Sequence, residues 1–231
     1  TCWFDGDNGF RATSCALAMQ SVMEKIQTVR IPSGEITLAM KTAVVTGSAR
    51  RFLIGNPRVQ LIDVLAGKTL DRLVEAEHEA EKGEVILDEA TITQLGPRVQ
   101  IKTWRQSPIS GARLGVVENL ENMSIPAYWP TILPDALDEA ITRRWLLPPV
   151  YKRLVEGGGE FLAERRPAVA LFVRFSGIDY DEDEQAEAKL DEFVQNVQEI
   201  LSRYDSNLLQ LTIGDKGSTL YAAFGAPYAH E

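Results

Sequence analysis

The stretch PAVALFVRFSGIDYDEDEQAEAKLDEFVQNVQEILSRYDSNLLQLTIGDKGSTLYAAF, residues 167–224, decides the fold because its hydrophobic period changes along its length. Residues 168–175 are a continuous apolar run broken only by Arg174, the mark of a central strand. An acidic loop, residues 179–184, follows. Ala186, Leu190, Phe193, Val197, Ile200 and Leu201 then recur at helical spacing and give a helix with one buried face. Residues 208–213 and 219–224 read as two short strands, joined by the turn Gly214-Asp215-Lys216-Gly217.

Upstream, the order runs differently. TCWF followed by DGDNG reads as a strand ending in a turn, the look of a chain cut in mid-domain. From residue 8 to about residue 28, Cys15, Ala18, Met19, Val22 and Ile26 form an apolar helical stripe. Residues 36–45 and 51–54 read as β. A second helical stripe runs through Ala66, Leu70, Leu73, Ala76 and Ala80 and stops at Lys82-Gly83; strands at 84–87 and 98–104 follow. Between residues 106 and 167 prolines cluster and the periodicity weakens, although Trp129, Trp145, Leu146 and Leu147 are too apolar for a floppy linker. This connector should pack along its neighbours and hold a short helix near residues 135–145. Gly157-Gly158-Gly159, with no Lys-Ser/Thr after it, reads as a hinge rather than a phosphate loop.

Composition limits what the chain can do. Its 231 residues are 45% apolar, enough for a real core. The net charge of −9 leaves no electrostatic footprint for nucleic acid, so no such partner is expected. No run approaches a membrane span, and the two cysteines, Cys2 and Cys15, suit a cytoplasmic setting with reduced thiols. His78 stands alone on an acidic helical face, and the acidic run 179–184 lacks the glycine and spacing of a calcium loop.

The order SGI, then GDKGS, then FGAP resembles the opening half of a class III nucleotide cyclase domain. TCWFDGDNG, CALAMQ, FLIGNP and GKTLDRLVEAEHEAEKGEVIL resemble the closing half of another. The pairing of Asp-Lys-Gly-Ser with Phe-Gly-x-Pro is most similar to the tandem cyclases of the soluble adenylyl cyclase group. The resemblance implies an α+β protein of two incomplete ferredoxin-like units, with mostly antiparallel sheet and helices on one side. Residues 1–105 would close the first cyclase-like domain, 106–166 would connect, and 167–231 would open the second. Because both halves derive from one fold, the closing half could complement the opening half as a composite domain.

What the resemblance implies for chemistry follows from the reaction. In-line attack of a ribose 3′-oxygen on the α-phosphorus of ATP, with pyrophosphate leaving, calls for two metal ions, Mg or Mn, on two aspartates. The partner domain of the same chain supplies an Asn and an Arg. The first aspartate position falls on Arg174, which cannot ligate a cation, and the second falls on Asp215. Lys216 matches a lysine that reads adenine. GKTLDRL, with an insertion after Gly55, places Arg72 on the catalytic arginine and Lys68 on the Asn; with almost no gap the same positions are Gln60 and Val64, and both functions are lost. The expectation is therefore a fragment of an adenylate cyclase, inactive alone and without a tightly bound cofactor, or a degenerate module serving ligand binding, regulation or dimerisation. Chains of this group often continue into ATPase and helical-repeat regions.

Overall fold

The computed structural model describes residues 1–133, 136–157, 167–214 and 217–225. They form an α+β protein with mixed, mostly antiparallel sheets, divided into two compact units. Unit 1 comprises residues 1–48 and 68–128; unit 2 comprises residues 49–67 and 129–231. Elements are numbered in chain order across both units.

Unit 1 holds α1 (Phe10–Ile26), the small hairpin β1 (Thr28–Ile31) and β2 (Gly34–Thr37), β3 (Thr42–Val44), α2 (Lys68–Glu79), β6 (Val85–Asp88), α3 (Glu89–Leu95), β7 (Val99–Gln106) and β8 (Arg113–Leu120). Its main sheet has the order β3-β6-β8-β7, with β3 and β6 parallel and the rest antiparallel. Strand alternation sorts the apolar side chains onto two faces. Val44, Val85 and Leu87 meet Ala16 of α1 and Leu95 of α3, while Ile86, Leu114 and Val116 meet Ala76 and Ala80 from the α2 side. Ile86 and Leu87 are fully buried, each worth about 1.5–3 kcal/mol of transfer free energy.

The inner face of α1 differs from the expected stripe. Thr13, Ser14, Ala16 and Gln20 are buried, whereas Met19, Val22 and Ile26 are exposed. Small side chains let the helix approach the sheet closely, and the Gln20 amide fixes its rotation by donating to the carbonyls of Met40 and Glu84 at 3.0 and 2.9 Å. The helix starts where Asp7 accepts from the amides of Arg11 and Ala12. The second expected helix begins at Lys68, so that Ala66 belongs to a strand.

The turn between β7 and β8 is tied to α2 by a carboxylate. Ser107 and Ser110 donate their hydroxyls to Glu75 Oε1, and the Ser110 amide adds a bond of 3.0 Å. These serine hydroxyls hold the Glu75 carboxyl below its ordinary value of 4.5, against a smaller opposing effect of burial. A carboxylate whose folded pKa is depressed stabilises the fold above its unfolded pKa, and that contribution disappears as pH falls through the folded value. Urea unfolding across a pH series should therefore show a loss of stability on acidification below 4.5 that Glu75→Gln reduces. A profile unmoved by the substitution would contradict this.

Unit 2 holds β4 (Arg50–Ile54), β5 (Ile62–Ala66), α4 (Glu139–Arg143), α5 (Pro148–Val155), β9 (Val169–Phe175), α6 (Ala186–Arg203), β10 (Ser206–Thr212) and β11 (Ser218–Phe224). Strands β9, β10 and β11 form an antiparallel sheet of order β10-β11-β9, and β4 pairs with β5 as a separate hairpin. Phe52, Ile54, Val64 and Ala66 of that hairpin share one core with Ala186, Leu190 and Val194 of α6 and with Leu208 and Leu220 of the sheet. The hairpin thus packs with elements more than a hundred residues further along the chain. Strand β9, expected at the centre of a sheet, stands at the edge of this one among the described residues, and Val169 and Phe172 are 67% and 73% exposed. Three strands and a single large helix leave one of its sides uncovered. Phe172 finds a partner in Tyr221, its ring stacked at 4.7 Å.

Candidate functional site

Arg72 sits in the second turn of α2, where the helix passes the loop after β3 and the end of β6. One guanidinium nitrogen donates to Asp88 Oδ2 at 2.8 Å and another to the Thr46 carbonyl at 3.1 Å. Asp88 is only 4% exposed and also caps α3, its other oxygen accepting from the Thr91 amide at 2.9 Å and the Thr91 hydroxyl at 2.5 Å. The Thr91 hydroxyl reaches Thr46 Oγ1 at 2.9 Å as well. Two glycines approach this network closely. A Cβ on Gly47 would lie 2.5 Å from Arg72 Nη2, and one on Gly9, whose φ is +89°, would lie 2.6 Å from Thr91 Cγ2. Arg72 is thus a packed arginine holding two helix ends and a loop together. Lys68, the other residue laid on the family motif, occupies the first position of α2.

In unit 2 the first-strand position is Arg174, paired across the ladder with Thr219. Its Nε lies beside the hairpin turn, 3.3 Å from where a Cβ on Gly217 would stand. Gly217 has φ +92°, which explains the glycine. Asp215 and Lys216, the other two candidates, lie outside the described residues. Members of the acidic run after β9 serve turns and an ion pair. Asp179 accepts from the amides of Asp181 and Glu182, both at 3.0 Å. Asp183 accepts from the Gln185 amide and from Lys189 Nζ at 2.7 Å, and the lysine contact chiefly holds its carboxyl below the ordinary range. Tyr180 is buried enough that its phenol pKa is raised, with a partial offset from its bond to Ser218. Among the described residues no three His, Cys, Asp or Glu side chains group as a cation site.

The residues that sequence reasoning missed lie on α6. Asp191 Oδ1 accepts from the Gly55 amide at 2.7 Å, and Gln195 braces its other oxygen. Gln198, 2% exposed, accepts from the Asn56 amide at 2.7 Å and donates to the Gln60 carbonyl at 2.8 Å. The signal was present in the pattern: Gln198 falls on the buried line Leu190, Val194, Leu201, where a polar side chain must have a specific partner. Arg50 adds a further tie, donating to the carbonyls of Tyr180 and Asp183 at 3.2 and 2.6 Å.

Neither a protein-family model nor a curated protein matches the chain. Solved structures do. The guanylyl cyclase Cya2 is similar over 52% of this chain and 64% of its own, with 19% identity and a TM-score of 0.44. The guanylate cyclase domain of RhGC from Catenaria anguillulae, solved in complex with GTP, is similar over 48% and 59%, with 17% identity and a TM-score of 0.39. The non-canonical dimeric guanylyl cyclase domain of the RhoGC fusion protein from Blastocladiella emersonii is similar over 51% and 63%, with 14% identity and a TM-score of 0.39. The chain thus spans less than two thirds of the length of each.

Proposed function

We propose that the chain is the seam of a nucleotide cyclase with tandem cyclase domains, an adenylate cyclase, and that it contributes architecture rather than turnover. The observation that supports this reading is the engagement of Arg72. Its guanidinium is divided between Asp88 and the Thr46 carbonyl, whereas a transition-state arginine must keep its donors for phosphate oxygens. The donor set agrees. A two-metal site for Mg or Mn needs two carboxylates, and the first position is Arg174, an acceptor-free cation, so these residues do not fit a metal pair.

A second reading is favoured by Arg174 standing next to the hairpin turn: a degenerate module that holds a nucleotide without converting it, with Lys216 against the adenine. One preparation tests both. The purified chain, incubated with ATP or GTP and with Mg or Mn, should form no cyclic nucleotide above the protein-free rate; turnover would overturn the proposal. Titration with ATP and repetition with Lys216→Ala then separates a silent seam, which shows no difference, from a binding module, which loses affinity.

A further inference from the structure

A basic cleft in unit 2 belongs to neither reading. The turn of the β4–β5 hairpin and the helix α4 border a space of about 390 Å³ lined by Arg58, Arg143 and Arg144, with Pro57, Leu146 and Pro148 among its apolar walls. In a chain of net charge −9, with 33 acidic residues, three arginines and no acidic residue line this one cleft. The ion pairs formed among the described residues use other arginines, such as Arg51, Arg72, Arg105 and Arg113. The Arg143 guanidinium lies over an aromatic face, the Tyr151 ring at 5.3 Å, and the nearby Glu139 carboxylate is taken by the Tyr151 hydroxyl.

The three arginines stand on a common frame. Asn56 organises the turn, its side chain accepting from the Arg58 amide and its carbonyl from the amides of Val59 and Gln60, all at 2.9 Å. The turn is then stitched to the end of α4: the Leu61 amide donates to the Arg144 carbonyl at 2.6 Å and the Gln60 side chain to the Trp145 carbonyl at 3.3 Å. Asp138 caps the start of α4. Basic residues at a helix C-terminus complement its dipole, which accounts for Arg143 and Arg144 but not for Arg58, which comes from another element. Bringing a third like charge to the same cleft costs repulsion that an anion would remove.

We propose that this cleft binds a polyphosphate, either inorganic or the phosphate chain of a nucleotide. Planar guanidinium forks match phosphate oxygens two at a time, and a cleft lined by one sign of charge concentrates the opposite ion. A volume of about 390 Å³ suits a small ligand rather than a peptide surface. The proposal is independent of the cyclase reading, since it uses none of Arg72, Arg174, Asp215 or Lys216.

Calorimetric titration of the 231-residue chain with tripolyphosphate, ATP and adenosine tests it. Tripolyphosphate should bind, each single Arg→Gln change at 58, 143 or 144 should weaken it by about tenfold, and the triple change by at least about a hundredfold. All three side chains are exposed and glutamine is a good helix former, so the variants should fold, and circular dichroism checks that they do. Equal affinity for ATP and tripolyphosphate assigns the cleft to the phosphate chain alone; tighter ATP binding assigns the source to a nucleotide. Absence of tripolyphosphate binding, binding that survives the triple change, or adenosine competing as well as ATP would each overturn the proposal.

Discussion

Replacing Gln198 with leucine should destabilise unit 2 by about 2–4 kcal/mol, because two backbone groups of the hairpin turn lose their partner while its volume is nearly kept. Gln198 is buried, and its amide satisfies the Asn56 N–H and the Gln60 C=O at 2.7 and 2.8 Å. Leucine adds apolar surface to the core yet leaves a donor and an acceptor of the part-buried turn unmet, each costing roughly 1–3 kcal/mol when water cannot replace the partner. The effect should be local in its first appearance. Hydrogen exchange at the amides of β4 and β5 should speed up before that of β10 and β11 does. A variant with unchanged urea midpoint and unchanged exchange in β4 would show that hydrophobic contact alone seats the hairpin. Gly55 offers an independent probe of the same turn. Its φ is +99° and a Cβ there would lie 2.6 Å from the Gln60 carbonyl oxygen, so Gly55→Ala should act in the same direction.

The second large effect is expected at Arg72. Arg72→Met keeps the aliphatic stem and removes the charge, leaving the Asp88 carboxylate buried with only its capping bonds. Breaking a fully buried pair costs about 3–5 kcal/mol, and since the Arg72 side chain is 38% exposed the expectation here is nearer 2 kcal/mol. A double-mutant cycle with Asp88→Asn isolates the pair. The two changes should be non-additive by about 1 kcal/mol or more. Additive losses would mean that Arg72 and Asp88 act separately, and would reopen a catalytic role for the arginine.

Elements with strong local periodicity were legible before any coordinates. The α6 spacing and the β10–β11 hairpin appear where the sequence places them, because each is specified by neighbours in the chain. Strand β8 was not legible. RLGVVENL lies amid glycine and proline punctuation that suggested a connector, and only its pairing with β6 and β7 makes it a strand. Strand β5 was hidden for a related reason: it follows the Asn-Pro break directly, and its alternation is short and interrupted by Asp63. At the site, Arg72 could be picked out by motif, but its partner Asp88 is set by the fold. Local pattern shows which residues are apolar or capping; it does not show which distant segment a hairpin will choose.

That choice has a consequence for how the molecule is made. About 120 residues separate Ala66 at the end of the hairpin from Ala186 at the start of the helix that receives it. At about 5–20 residues per second, a ribosome would expose the hairpin for roughly 6–24 seconds before α6 is even synthesised. Throughout that interval Phe52, Ile54 and Val64 have no partner, and a two-stranded hairpin alone is marginal in water. Expression of either half from a split gene would therefore orphan the same apolar face permanently. Supplying residues 49–67 as a separate peptide to a chain begun at residue 129 is the complementation that the packing allows.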